Sequence, residues 1–244
     1  MPPEQEPAMI PNMLVTGASR GIGAATLRLA REDQANVIGH ASQAHGMLIG
    51  ADLALPGGGR RLWREALAAM NGRIDILVNN VGVFEANNID SDDADWDAGW
   101  ERGLRINLTA AAELCREAIR HWLATGTGGR IINVASRAGH RGDSPAHWHY
   151  AAAKAGLIGI TKTIARAYAR DGIYAFAVAP GFTLTGMAED YLASRGGEKL
   201  LADIPLGRVA DADEVANAIL YLALFAPASM TGATLDINGA SYVR

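Results

Sequence analysis

Tyr150 and Lys154 stand four residues apart in the segment HYAAAKAG. On a helix that spacing puts both side chains on one face. A phenol with an ordinary pKa of about 10 is a poor base near neutrality. An ammonium beside it stabilises the phenolate and lowers that value. Such a pair can exchange a proton with an alcohol or carbonyl oxygen while a hydride moves elsewhere. Taken alone, the spacing suits equally well a surface pair worth roughly 0.3 kcal/mol. Ser136 lies two residues beyond the apolar run RIINV, where a parallel sheet exposes its ligand-binding ends. Its hydroxyl can donate to a substrate oxygen, or it can be an ordinary cap. Asn107 sits inside a helical stretch, where asparagine is disfavoured. It can hold a water that links the lysine to solvent, or it can be an exposed polar residue.

Residues 16–23 read TGASRGIG, the spacing G-x-x-x-G-x-G ahead of a helical pattern. Glycines let a backbone turn sharply and approach a pyrophosphate closely. The N-terminus of the next helix offers free N–H groups and the positive end of its dipole. A P-loop is excluded, because no Gly-Lys-Ser/Thr follows. A glycine turn is as often structural as functional; its place between a strand and a helix favours the functional reading. An acidic residue ending the second strand would bond a ribose 2′-hydroxyl and select NAD. That stretch is Gly39-His40-Ala41-Ser42, without a carboxylate, while Arg20 in the glycine loop can pair with a 2′-phosphate. NADP(H) is therefore favoured over NAD(H), although Arg20 as plain solvated charge is the bland alternative. Asp52 can accept a hydrogen bond from an adenine amino group or simply close a turn.

The elements that must position these residues follow from the apolar pattern. Strands are predicted at residues 13–16, 36–39, 47–49, 75–79, 130–134, 173–179 and 234–237. Helices are predicted at 24–31, 60–70, 96–124 with a bend around Gly103, 150–170 and 213–224. Continuous apolar strands separated by helices imply a parallel sheet covered on both faces. With right-handed crossovers this is an α/β fold, a doubly wound, Rossmann-like sheet in a single domain. Residues 1–10 read as a disordered tail and 11–244 as the domain. Only residues 40–46 separate the second and third strands, so the helix expected there must be reduced to a turn. The acidic stretch 90–97 reads as a loop, and Gly57-Gly58-Gly59 and Gly128-Gly129 as loop punctuation.

Composition narrows the function classes. Glycine is high, 28 of 244 residues, about 11% against a usual 7%. It follows no short period, so nothing is collagen-like. Hydrophobic residues make up 49% and charged residues 20%, which supplies a core and excludes intrinsic disorder. The net charge of −4 makes the chain a poor candidate for non-specific nucleic-acid binding, which needs a basic face. The single cysteine excludes an intramolecular disulfide and a multi-cysteine zinc site. The longest apolar run, residues 218–226, is far short of the ~20 residues of a membrane span. The expectation is a soluble, cytoplasmic protein with no membrane or nucleic-acid partner.

Together these motifs resemble the short-chain dehydrogenase/reductase family, in its ordinary short form, from about Met13 to the C-terminus. The resemblance rests on TGASRGIG, Asp52-Leu53, Asn79-Asn80-Val81-Gly82, Asn107, Ser136, Tyr150-x-x-x-Lys154 and Pro180-Gly181-Phe-Thr-Leu-Thr185. Any one is common; seven in order are specific. The resemblance implies Tyr150 as acid/base and Lys154 as the group that holds the nicotinamide ribose and tunes Tyr150. It gives Ser136 the substrate oxygen and Asn107 the proton-relay water. Cofactor contacts fall on Gly17, Ser19, Arg20, Gly21, Ile22, Gly23, His40, Asp52, Leu53, Asn80, Val81, Gly82, Tyr150, Lys154, Pro180, Gly181, Thr183 and Thr185. It also implies a homotetramer or homodimer built partly through the helices of Asn107 and Tyr150. Departures are the lost helix after the second strand, Val81 for the family alanine, Phe176 for asparagine, one extra residue between Ser136 and Tyr150, and Asn238-Gly239-Ala240 near the C-terminus.

The expected activity is NADP(H)-dependent interconversion of a carbonyl and its alcohol. A 3-oxoacyl-thioester reductase acting on acyl carrier protein is the alternative within enzymes, with Arg130 and Arg170 as its basic residues. A non-catalytic dinucleotide-binding sensor is the alternative of another class. The substrate loop holds Arg137, His140, Arg141, His147, Trp148 and His149, read chiefly as solvated loop charge. No metal site is expected, since no carboxylate lies near His147 and His149 in sequence.

Overall fold

A computed structural model describes residues 10–184 and 201–244. Most of the tail and Thr185 lie outside the described residues. The elements in chain order are β1 (Asn12–Val15), α1 (Gly21–Glu32), β2 (Asn36–Ala41), β3 (Leu48–Gly50), α2 (Gly58–Ala69), β4 (Ile76–Asn79) and α3 (Asp93–Leu104). A π-helical turn (Arg105–Thr109) joins α3 to α4 (Ala110–Thr125), followed by β5 (Gly129–Val134), α5 (Ala138–Arg141), α6 (Trp148–Tyr168) and β6 (Ile173–Pro180). After β7 (Thr183–Leu184) come β8 (Ala210–Asp211), α7 (Ala212–Leu220) and β9 (Thr234–Ile237).

Seven parallel strands form one sheet in the order β3-β2-β1-β4-β5-β6-β9. Alternation along each strand feeds two cores. Met13, Val15, Ile76, Val78, Ile132, Val134, Phe176 and Val178 face α1 and α7. Leu14, Leu77, Ile131, Ile173 and Ala175 face the opposite layer of α2, α4 and α6. This is the doubly wound, Rossmann-like arrangement. Chain order reverses between β1 and β4, and the crevice at that reversal is where such sheets bind ligands. No described helix is long and apolar enough to cross a membrane.

The crossover from β2 to β3 is indeed reduced, to residues 42–47. The side chain of Leu48 takes over part of the cover: a Cβ on Gly39 would stand 2.5 Å from Leu48 Cδ2, with Ala18 and Leu27 close behind.

Three sequence readings are corrected. The glycine triplet is not loop punctuation. Gly57 adopts φ +75°, and Gly58 and Gly59 are the buried first residues of α2. The Glu113 carboxylate of α4 accepts from Gly57 N at 3.2 Å and Gly59 N at 3.1 Å, so a distant side chain does the work of a cap. Gly129 opens β5 beneath Trp122, whose ring occupies the space a side chain there would need; Trp122 Nε1 donates to Ile74 O at 2.6 Å. The acidic stretch is half helix: Asp92 caps α3 by accepting from Asp95 N at 2.9 Å, and the acidic residues of the first turn suit the dipole. The expected break near Gly103 is a change of register one turn later, at the π-helical turn.

Candidate active site

The glycine loop is shaped by what grips it. Thr16 follows β1, and its Oγ1 accepts from Asn80 N at 2.9 Å and Val81 N at 3.1 Å. Asn80 Nδ2 donates back to the carbonyls of Thr16, 2.9 Å, and Gly17, 3.1 Å. Gly17 has φ +66° and Gly21 φ +55°, values that glycine alone reaches cheaply. A side chain on Gly23 would collide with the Gly17 carbonyl. Ser19 and Arg20 are exposed, and Arg20 makes no ion pair among the described residues. No side chain caps α1, so its first N–H groups are open to an anion. Close backbone, uncapped helix and unengaged guanidinium fit a phosphorylated dinucleotide.

Other cofactor positions divide by what their side chains do. Leu53 is buried in the α2/α4 core, so only its backbone can face a ligand. Asp52 accepts from Ala54 N at 2.8 Å, closing a turn. Both ring nitrogens of His40 are engaged inside the protein: Gly17 N lies 3.3 Å from Nδ1 and Ala51 O 2.8 Å from Nε2. A Cβ on Gly82 would stand 3.1 Å from Asn107 Oδ1 and 3.4 Å from Lys154 Nζ, which places this backbone between two of the four candidate catalytic residues. Pro180 ends β6, and its carbonyl accepts from Arg137 N at 2.9 Å. Gly181 N donates to Ile237 O at 2.9 Å, and Thr183 is buried with Oγ1 3.3 Å from Gly181 O.

Ser136 follows β5, while Tyr150 and Lys154 share the first turns of α6. The Ser136 hydroxyl accepts from Ala138 N at 3.1 Å and acts on the Tyr150 phenol to lower its pKa. Lys154 Nζ donates to Val134 O at 2.8 Å and lies 5.6 Å from the centroid of the Tyr150 ring. Burial lowers the Lys154 pKa to about 8. Burial also raises the Tyr150 phenol above its ordinary value; the Ser136 hydroxyl opposes this and Asp143 adds to it. Lys154 is not among the groups that set the Tyr150 value here. The ammonium is hydrogen-bonded to the Val134 backbone carbonyl beside the ring.

The amide of Asn107 has a task that spacing did not reveal. Its Oδ1 accepts from Val83 N at 2.9 Å and its Nδ2 donates to Val83 O at 3.0 Å. The side chain is thus a clamp on the segment after β4. The clamped segment leads to Phe84, whose ring meets Tyr150 edge-on at 4.9 Å and stacks on His147 at 3.7 Å. His147 is tied through Nδ1 to Ser144 Oγ at 2.6 Å. Sequence reasoning missed Phe84 and the Thr16 hub. Thr16 opens one quoted motif and Phe84 lies two residues beyond another, and that placement was the available signal.

The substrate-loop arginine next to Ser136 is not solvated charge. Arg137 is buried, 4.9 Å over the Phe182 ring, and shares Asp203 Oδ2 with Arg141 at 3.2 and 3.0 Å. His149 is buried against Gly103, and His140 stacks on Tyr242. Arg130 turns inward as well: its Nη1 donates to Leu222 O at 2.9 Å and Ala226 O at 2.8 Å.

Comparison with known proteins agrees with this geometry. A family model described as Enoyl-(Acyl carrier protein) reductase matches residues 17–240. The chain is 38% identical over 243 residues to 3-oxoacyl-[acyl-carrier-protein] reductase FabG of Vibrio harveyi, covering 94% of this chain and 96% of the relative. It is 38% identical over 239 residues to Nodulation protein G of Rhizobium meliloti (strain 1021), covering 93% and 94%. A solved structure from Agrobacterium tumefaciens, described as a 2-deoxy-d-gluconate 3-dehydrogenase with bound NADP, superposes with a TM-score of 0.85 at 28% identity, covering 96% of this chain and 97% of that one. The chain belongs to the short-chain dehydrogenase/reductase family. It is an oxidoreductase of that family.

Proposed function

We propose that this oxidoreductase uses NADP(H) to interconvert a small ketone or aldehyde and its alcohol, with Tyr150 as the proton donor and acceptor. The observation that carries the reading is the Lys154 ammonium 5.6 Å from the centroid of the half-buried Tyr150 ring, with the Ser136 hydroxyl acting on the same phenol. The bound nicotinamide would supply the hydride. Tyr150 gives its phenolic proton to the carbonyl oxygen, and Ser136 holds that oxygen in place. Lys154 holds the ribose and favours the phenolate once the proton has left. Gly17, Ser19, Arg20, Gly21, Ile22 and Gly23 cradle the phosphates, and Arg20 meets a 2′-phosphate. Asn80, Val81, Gly82, Pro180, Gly181, Thr183 and Thr185 line the remainder. NADP in the Agrobacterium tumefaciens neighbour supports the choice of cofactor.

Tyr150→Phe is expected to lower kcat by about 10²–10⁴-fold while NADPH still binds. Near-native turnover in that variant would refute the role. Fluorescence titration is expected to favour NADPH over NADH, and the reverse preference would sink the part given to Arg20.

A second reading, reduction of a 3-oxoacyl thioester on acyl carrier protein, is favoured by the names of the curated relatives. Against it, Arg130 is engaged inside the fold, which leaves Arg170 as the exposed member of the pair. Comparing kcat/KM for a carrier-bound 3-oxoacyl thioester and for a free ketone separates the two. Assembly as a homotetramer or homodimer through α4 and α6 belongs to the same proposal. So does residence in a reducing cytoplasm, which suits the free, buried Cys115.

A further inference from the structure

The end of β2 is where this kind of sheet reads the adenosine half of its ligand. His40 occupies it, but its ring is turned inward and is 2% exposed. Nδ1 accepts the Gly17 N–H at 3.3 Å, and Nε2 donates to the Ala51 carbonyl at 2.8 Å. One neutral tautomer, protonated at Nε2, satisfies both bonds. Burial lowers the His40 pKa, which maintains that neutral form. The carbonyl of His40 also accepts from Ala18 N at 2.8 Å.

These bonds meet the glycine turn from one side, while Asn80 holds the carbonyls of Thr16 and Gly17 from the other. Gly17 has no side chain to pack, and its φ of +66° is one of many a free glycine would sample. Its placement therefore depends on outside ties. Ala51 is available because the crossover before β3 is so short. Its N–H reaches the Ala41 carbonyl at 3.0 Å, which brings its own carbonyl beside the end of β2.

We propose that His40 is a positioning residue: by linking the Gly17 N–H to the Ala51 carbonyl it sets the place of the pyrophosphate turn, and with it the affinity for the dinucleotide, without touching the dinucleotide itself. The proposal rests on the NADP(H) reading above. An ordinary core histidine would need no acceptor aimed at the glycine loop.

Two polar substitutions divide the ring between them. In His40→Asn the side-chain oxygen can stand near Nδ1 and keep the Gly17 bond. In His40→Gln the amide nitrogen can stand near Nε2 and keep the Ala51 bond while the Gly17 bond is lost. NADPH is titrated by fluorescence against the full chain, and steady-state kinetics are run beside it. His40→Gln is expected to raise the Kd and the KM for NADPH about tenfold, the usual scale for one buried hydrogen bond. His40→Asn is expected to stay within about threefold of wild type. In both, kcat at saturating NADPH is expected to move far less than KM. Equal affinity in the two variants, the reverse order, or a loss confined to kcat would overturn the positioning role alone. Wild-type protein that binds neither NADPH nor NADH would overturn the cofactor reading together with it.

Discussion

At the scale of single residues, Lys154 carries a conflict between stability and chemistry. In the proposed mechanism its ammonium is wanted beside the nicotinamide ribose, yet burial lowers its pKa from 10.5 to about 8. The folded protein therefore holds its proton less tightly than the unfolded chain does. Stability rises with pH between about 8 and 10.5, and at neutral pH the buried charge is a cost. Lys154→Met removes that cost but leaves the Val134 carbonyl without its donor. A net gain of about 1 kcal/mol is expected, or about 2–4 °C in the thermal midpoint of a chain this size, with activity lost. A lower midpoint would show that the Val134 bond outweighs the charge. The same value fixes a pH profile, since kcat/KM reports ionisations of the free enzyme. Carbonyl reduction is expected to fall above about pH 8 as Lys154 loses its proton. Tyr150, raised by burial, stays protonated through that range. A kcat/KM that is flat to pH 10 would sink this assignment.

At the scale of elements, α2 begins without a local cap and takes one from α4. Glu113 accepts from two N–H groups at that start and sits 3.4 Å from Arg60 and 3.7 Å from Arg105. Glu113→Ala is expected to cost about 1–2 kcal/mol in urea unfolding and to leave kcat and KM unchanged. A change in kcat with no change in stability would contradict a purely supporting role. This cap also marks where sequence reading stops. The strands were legible because apolar residues run through both faces of a covered sheet. The candidate set was legible because Ser136, Tyr150 and Lys154 sit at or near ends of elements at fixed spacing. Glu113 lies more than 50 residues from the glycines it caps, and three glycines look like a break in any helical pattern. The π-helical turn at Arg105–Thr109 was invisible because the apolar pattern continues across it. The Asn107 clamp and the Lys154 bond to Val134 are made to backbone groups, which no residue type announces.

At the scale of the whole molecule, α6 carries part of the candidate site and would also carry the contact in the proposed assembly. One of its faces carries His149, Ala153, Leu157, Ile158 and Ile164 inward, and it presents Lys154 to the site. The middle of the outward face shows the small residues Ala152, Ala155, Gly159 and Thr163, with the larger Trp148, Lys162 and Arg166 exposed around them. Gly159 has nothing within 4 Å of where a Cβ would stand. A helix face this small lets a second helix approach closely, and α4 beside it exposes Arg116, Arg120 and Leu123 to form a rim. Gly159→Arg separates two accounts of that face. On an isolated chain the arginine has open room, and replacing a mid-helix glycine by a better helix former is worth about 0.5–1 kcal/mol of stability. In an assembly closed over α6, the same side chain would be driven into the neighbouring helix. Light scattering of the wild type is expected at a multiple of the 25.7 kDa chain mass, and of Gly159→Arg at a smaller multiple. Unfolding of the dissociated variant should be independent of protein concentration, whereas that of the wild type should not be. A variant that keeps the wild-type mass would place the contact on another face. A wild type at the mass of one chain would refute assembly altogether, while leaving the site chemistry as it stands.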